Sequence, residues 1–288
     1  MKIRIGYEIV YDFPQPTPMI MILGVHHTRA PDVIQPDQLK TEPPVTITRY
    51  RDGFGNWCSR LVAPAGRMQL HGRGIIRDTG LTDEVAPGAP QHEVEDLPPE
   101  TIVYLLGSRY CETDRLSDIA WTLFGNGPTG WRRVQAICDY VHNHITFGYQ
   151  FARPTKTAWE AFNEGNGVCR DFAHLGIALC RCMNIPARYC TGYLGDIGVP
   201  PVDAPMDFAG WFEAYLGGAL VHVRPAQQHA PHRPRPHRPG PRRRRRTDHA
   251  HIRPQHAGQL QGHHRRDRLT ALDARRRGSR RSITSALE

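Results

Sequence analysis

Neither lysine nor any Phe, Trp, Tyr or Cys occurs in the last 70 of the 288 residues. A segment so poor in apolar side chains has little to bury and is expected to be disordered. Nowhere does the chain hold an apolar run near the ~18 residues a membrane helix needs, so no membrane partner is expected. No basic stretch followed by an apolar stretch and a small-residue cleavage site opens it, and secretion is not expected. The seven cysteines (58, 111, 138, 169, 180, 182 and 190) are odd in number and irregular in spacing. That pattern argues against a disulfide framework and fits a reducing cytoplasm. No Cys-x-x-Cys pair is present, and Cys180 and Cys182 point to different faces of a helix, so no metal site is expected.

The charge is present but unevenly placed. Residues 219–288 carry 18 arginines against four acids, a balance of +14, whereas the first 218 residues hold 19 basic and 24 acidic side chains, or −5. The same tail holds nine of the sixteen histidines. The composition describes a mildly acidic globular body followed by a basic low-complexity segment.

Residues 1–85 read as a β-rich module. Ile3, Ile5, Tyr7, Ile9 and Tyr11 alternate with polar or small residues, the period of a half-buried strand. Val45 to Tyr50, the Asp52-Gly53 turn and Trp57 to Ala63 spell a hairpin. Met68, Leu70, Ile75 and Ile76 supply a further strand, and an antiparallel sandwich is the expected result. Residues 86–101, with four prolines among acids, read as a linker. Helical spacing follows at Ile119–Phe124, from Trp131 to about His144, and at Ala158–Phe162. The order predicts an α+β second domain over residues 102–218.

The informative stretch runs from Gly165 to Leu175, Gly-Asn-Gly-Val-Cys-Arg-Asp-Phe-Ala-His-Leu. A tight turn leads into a helix that Asn184 and Pro186 stop. Cys169 falls on the first turn of that helix, where outward-pointing N–H groups and the helix dipole favour a thiolate, the nucleophilic form. The same N–H groups suit a tetrahedral oxyanion.

Together with Asn184-Ile185-Pro186-Ala187-Arg188-Tyr189, Thr191-Gly192-Tyr193 and the upstream Val141–Ile145 and Phe147-Gly148-Tyr149, this stretch resembles the bacterial transglutaminase-like superfamily. Residues 1–85 resemble the β-rich region that often precedes that core. The resemblance implies a papain-like core with a Cys-His-Asp triad, acting by acyl transfer or amide hydrolysis on a protein or peptide substrate and needing no cofactor. Cys169 matches the nucleophile. The histidine strand of the family resembles Asp-Phe-His-x-Trp-Phe-Glu, where this chain reads Asp207-Phe208-Ala209-Gly210-Trp211-Phe212-Glu213, so Ala209 occupies the histidine slot. The alternative reading is a catalytically inactive member that serves as a binding or scaffold domain.

The family's aspartate segment, resembling Arg-Trp-Tyr-Thr-Phe-Asp, is due just after Gly218 and is missing. Ala219 to Ala226 can be encoded GCG CTG GTA CAC GTT CGA CCC GCG. One base later, completed from Gln227, that string encodes Arg-Trp-Tyr-Thr-Phe-Asp-Pro-Arg. The expectation is that residues 219–288 are a frameshift product and that the core has lost a strand and its aspartate.

The remaining candidates carry less. The Arg242–Arg246 run favours non-specific contact with phosphate but has no interleaved aromatic residue to stack bases, so no specific nucleic-acid partner is expected. His222, His229, His232 and His237 could chelate metal as a purification tag does. His142-Asn143-His144 is read as a helix end, and Arg170 and Asp171 as a local pair. Asp196, in a loop after Tyr193, is placed along the cleft without a role. His174, five residues after Cys169 and turned away from it, is the weak candidate for a substitute base. The oligomeric state is not legible.

Overall fold

A computed structural model describes residues 1–80, 86–193 and 208–227. They fall into two compact units, one comprising 1–80 with 192–193 and 208, the other 86–191 with 209–227.

The first unit is the expected antiparallel β module. Its strands are β1 (Lys2–Phe13), β2 (Thr17–Met21), β3 (Val33–Gln35), β4 (Lys40–Glu42), β5 (Thr48–Arg51), β6 (Trp57–Ala63) and β7 (Gly66–Arg77). The alternation read from Ile3 onward is realised as β1, which pairs with β7 over its whole length, from Lys2↔Arg77 to Phe13↔Gly66. β3 and β4 also pair with β7, and β2, β6 and β5 form a second sheet in that order. The hairpin turns at Asp52, whose carboxylate accepts the N–H groups of Phe54 and Asn56 at 2.9 and 2.8 Å. Tyr7, Met19, Met21, Leu61, Ala63, Met68 and Leu70, drawn from both sheets, form one apolar cluster. This is what makes two half-buried sheets stable together.

The second unit comprises α1 (Pro99–Ile102), α2 (Thr113–Phe124), α3 (Trp131–His144), β8 (Thr146–Phe147), α4 (Ala158–Glu164), β9 (Asn166–Gly167), α5 (Cys169–Cys182), β10 (Ala187–Gly192), β11 (Ala209–Leu216) and β12 (Ala219–Val223). Every residue of α5 from Asp171 to Cys182 is buried. A helix buried on all sides belongs at the centre of a core, and α2, α3, α4 and β11 all pack against it. Met183 and Asn184 end it, Asn184 with φ +58°. Among the described residues no helix is long and apolar enough to cross a membrane.

Two segments differ from their sequence reading. Residues 86–101, expected as a linker, are part of the second unit. Ala89 accepts the Trp131 N–H at 3.0 Å, Pro90 accepts the Gly217 N–H at 2.9 Å, and Gln91 donates to the Met183 carbonyl at 2.9 Å. Proline-rich chain has backbone carbonyls to offer even where it forms no ladder. The strand expected to be lost after Gly218 is also present. β12 pairs antiparallel with β11 from Phe212↔Val223 to Leu216↔Ala219, turning through Gly217 and Gly218 with φ of +59° and +88°. Two consecutive positive-φ glycines make the tight turn that hairpins favour, and Ala-Leu-Val-His-Val is apolar enough to follow it. Residues 228–288 of the basic tail lie outside the described residues.

Contact between α5 and β11 is close at Gly176. A Cβ there would stand 2.6 Å from Phe212 Cε1, and Phe212 is fully buried. Alanine in place of glycine adds about 1 kcal/mol of helix propensity, but overpacking a rigid core costs about 1–3 kcal/mol. Gly176→Ala is therefore expected to destabilise the chain, and Phe212→Leu to relieve part of the loss in the double variant. Urea unfolding of the three chains checks this, and a stabilised Gly176→Ala would contradict it.

Candidate functional site

The site is built where α4 hands the chain to α5. α4 starts with a capping box between Thr157 and Glu160 and ends at Gly165 in the left-handed region, φ +61°. Residues 166–167 then pair in parallel with 146–147, and Cys169 begins α5. Asp171, two residues on, is completely buried and turns back so that Oδ2 accepts the Val168 N–H at 2.9 Å. Only glycine fits at 167, because a Cβ there would lie 2.7 Å from the Asp171 side chain.

The expected Arg170–Asp171 pair is present at 3.2 Å. Arg170 also donates to the carbonyls of Arg153 and Pro154, which ties the segment before α4 to the first turn of α5. Burial raises the Asp171 carboxyl above its usual range, opposed by the Val168 N–H and by Arg170.

Against this first turn lies the start of β11. The Gly210 N–H donates to Cys169 Sγ at 3.3 Å. A side chain at 210 has no room, since a Cβ would meet the Tyr189 hydroxyl at 2.8 Å and the Arg170 backbone at 3.2 Å. Tyr189, on β10, is thereby held at the same spot. Its hydroxyl is pushed up chiefly by burial and next by the Cys169 sulfur beside it. Cys169 itself is half-buried. A thiol at a helix N-terminus, met by a backbone N–H from a neighbouring strand, is an arrangement in which a thiolate is stabilised and a substrate carbonyl can be polarised. Gly210 and Tyr189 lie in motifs that carry the family resemblance, but their meeting at Cys169 has no local signal, because both arrive from strands distant in sequence.

Ala209, buried, precedes Gly210, and its carbonyl accepts the Thr191 hydroxyl at 3.0 Å. A methyl group thus stands at the strand position where the sequence resemblance leads one to expect an imidazole. Arg224, the position at which the shifted reading would put aspartate, has its guanidinium carbon 5.6 Å from the centre of the Trp211 ring.

His174 is buried on α5 between two aromatic rings, stacked on Tyr110 at 5.2 Å and tilted against Tyr189 at 5.0 Å. Burial, with Arg170 and Arg181 nearby, lowers its pKa to about 3. His142 and His144 close α3, bonded to the carbonyls of Pro225 at 3.0 Å and Phe162 at 2.6 Å. Cys180 and Cys182 are buried, and His222 faces Glu213 at 3.5 Å. His229, His232, His237, Asp196 and the Arg242–Arg246 run lie outside the described residues. No group of three or more metal-ligating side chains occurs among the described residues.

The site has the plan of a transglutaminase-like core, a cysteine at the head of a buried helix facing the first residues of a strand. Residues 118–225 match the sequence profile of the Transglutaminase-like superfamily. A solved structure described as a "putative cysteine protease", from Cytophaga hutchinsonii, is 31% identical, covers 79% of this chain and 77% of its own, and superposes with a TM-score of 0.64. The chain belongs to this superfamily. The periplasmic domain of TgpA from Pseudomonas aeruginosa, bound to ethylmercury, is 16% identical with a TM-score of 0.40, over 80% of this chain and 74% of that one. An uncharacterized protein of Mycobacterium leprae is 38% identical over 65 residues, 20% of this chain and about a fifth (22%) of its own length.

The depressed His174 pKa sets a pH dependence. Its neutral form is favoured on folding, so its contribution to stability is full above pH 7 and is lost as pH falls through 6.5 towards 3. Between pH 7 and pH 5 the chain is expected to lose about 2 kcal/mol from this group. His174→Phe keeps the ring stacking and should remove that part of the loss. Urea unfolding at the two pH values measures it, and equal pH dependence in both chains would contradict the assignment.

Proposed function

We propose that this chain carries the nucleophilic half of a thiol acyl-transfer site, with Cys169 attacking the carbonyl of an amide in a protein or peptide substrate. The observation that carries this reading is Cys169 Sγ on the first turn of α5, within 3.3 Å of the Gly210 N–H. In the reaction the thiolate adds to the amide carbonyl, the oxyanion is held by N–H groups of the first turn, and the amine departs with a proton as the thioester forms. Water or a second amine then takes the acyl group. The Cytophaga relative's description as a cysteine protease supports the hydrolytic outcome, and the family name the transfer outcome.

The step the described residues do not supply is proton transfer. Alanine at 209 cannot take the thiol proton or return it to the leaving amine, and the imidazole of His174 is held between Tyr110 and Tyr189. Loss of one triad member costs on the order of 10⁴-fold. We therefore infer little turnover from this chain as it stands, and a binding role is the second reading, favoured by Ala209. No cofactor is required by either. A reducing cytoplasm suits the seven cysteines, none of which is in a disulfide. The basic segment after Gly218 is proposed to be out of frame, which the coding DNA tests directly.

Thiol labelling tests the nucleophile. Burial pushes the thiols of Cys58, Cys138, Cys180 and Cys190 up, and that of Cys182 to about 11, so these react slowly. Cys169 is expected to react with iodoacetamide at neutral pH faster than any of the other six and faster than an exposed reference thiol. A rate no greater than the reference would remove the basis of the proposal. Activity tests the missing base. Ala209→His alone should recover little amine incorporation or peptide cleavage. The same change together with the shifted-frame segment over 219–226 should recover activity that Cys169→Ala abolishes. Strong Cys169-dependent activity in the unmodified chain would show that another residue serves as base.

A further inference from the structure

We propose that Lys156 is a positioning residue for Cys169, its ammonium group fixing the backbone that delivers the cysteine to the first turn of α5. This rests on the reading of Cys169 as the nucleophile.

Lys156 is 1% exposed and ranks among the largest fully buried side chains of the molecule. Its Nζ is within 3.1 Å of the Asn166 carbonyl, 2.8 Å of Asn166 Oδ1 and 2.9 Å of Glu164 Oε2. An ammonium has three hydrogens to donate and no acceptor, so three oxygens around one nitrogen use it completely. All three belong to Glu164, the last residue of α4, and to Asn166, two residues before the N-cap of α5. The backbone there shows why the lysine is needed. The carbonyls of Gly165 and Gly167 accept the N–H groups of Thr146 and Gly148 at 2.9 and 3.0 Å. The Asn166 carbonyl between them faces the other way, as alternation along an extended strand requires, and Lys156 takes it. The Asn166 amide nitrogen donates to the Glu164 carbonyl at 2.9 Å, which leaves its Oδ1 turned to the ammonium.

Beyond this clamp the chain is held again at Val168 by Asp171. Between the two grips there is one residue, Gly167, and its close approach to Asp171 leaves no slack. The Cys169 backbone is thus set by Lys156 on one side and Asp171 on the other. Among the described residues, Arg170 and Asp171 follow Cys169 on the first turn of α5, and Tyr189 of β10 stands beside its sulfur. The Lys156 charge acts on Asp171 as well, favouring its carboxylate.

The choice of lysine is itself informative. The chain has 34 arginines and three lysines among its 37 basic residues, so a buried lysine marks a place where a planar guanidinium does not serve. Three acceptors converging on one nitrogen suit a tetrahedral ammonium, whereas a guanidinium spreads its donors over a fork.

The test is carried out on the full chain, following iodoacetamide labelling of Cys169 by peptide mass spectrometry from pH 5 to 9, with thermal melting of each variant. Lys156→Met is expected to raise the midpoint of the labelling profile by about one pH unit, a roughly tenfold slowing near neutral pH. Leu116→Ala, a cavity in α2, should lower the melting temperature while leaving the midpoint in place. A Lys156→Met midpoint that coincides with that of the unmodified chain overturns the proposal. Should Lys156→Met fail to fold, Asn166→Ala removes a single acceptor and is expected to move the midpoint the same way by less. No movement there overturns the proposal equally. If the unmodified Cys169 reacts no faster than a reference thiol, the nucleophile reading fails. If it reacts fast and the variants match it, the role of Lys156 alone fails.

Discussion

Burial of α5 on every side is the constraint from which the rest follows. A helix surrounded by α2, α3, α4 and β11 offers no face to solvent, so its only approachable groups are at its ends. At the C-terminal end Arg181 occupies the space, donating to the Ala187 carbonyl at 3.0 and 2.9 Å and to the Leu106 carbonyl at 2.6 Å. The N-terminal end carries the half-buried Cys169. The N–H groups of a first turn have no partner within the helix; here the carboxylate folded back from Asp171 takes the Val168 N–H just before that turn, and the Gly210 N–H of β11 is aimed at the Cys169 sulfur. The same arrangement that completes the backbone of a buried helix also produces the polarity a thiolate requires.

Order at the site therefore comes in two qualities. The setting of Cys169 is over-determined: Gly167, Asp171, Arg170, Gly210 and Lys156 each bear on the backbone or sulfur there by a close approach or a hydrogen bond. Among the described residues the strand position facing it carries no proton acceptor. Ala209 sits at the start of β11 with its carbonyl bound by Thr191 and its side chain reduced to a methyl group. Precise placement of a thiol is of use to catalysis when a proton acceptor stands beside it, and to binding when none does. The contrast is a chemical one and does not disturb the fold, because a strand start accommodates alanine as readily as histidine.

Sequence periodicity was enough for elements whose partners lie nearby. The alternation of Ile3 to Tyr11, the Asp52-Gly53 turn and the helix from Cys169 to its stop at Asn184 all survive as β1, the β5–β6 hairpin and α5, since each signal arises from one element meeting one buried surface. The position of Cys169 on its helix was legible for the same reason. What remained hidden depends on residues far apart in the chain. Gly210 meets Cys169 across 41 positions, and the glycine pattern there has no local meaning. Lys156 carries no signal in the sequence, because burial of a lysine is visible only when all three of its acceptors are in place. The docking of residues 86–101 was missed because prolines and acids usually mark exposed chain, whereas here the carbonyls of Ala89 and Pro90 serve Trp131 and Gly217.

The hairpin at Gly217-Gly218 shows how little a strand demands compared with a site. Its register is imposed by two glycines in positive φ, and the five residues that follow need only extended backbone and moderate apolarity. Along β12 only Val223 is buried. Many sequences of five residues would satisfy that, including one arising in a shifted frame, so the presence of β12 says nothing about which frame was selected. Residue 224 is different. An aspartate there would carry a negative charge to the strand end near β11, where Arg224 brings a positive one over the Trp211 ring. Ladder hydrogen bonds are indifferent to that exchange; a proton relay is not, because an imidazolium formed beside it would be repelled where it needs to be stabilised. The fold at this edge can therefore persist while the chemistry is lost, and that separation follows from strands being held by backbone and catalytic sites by side chains.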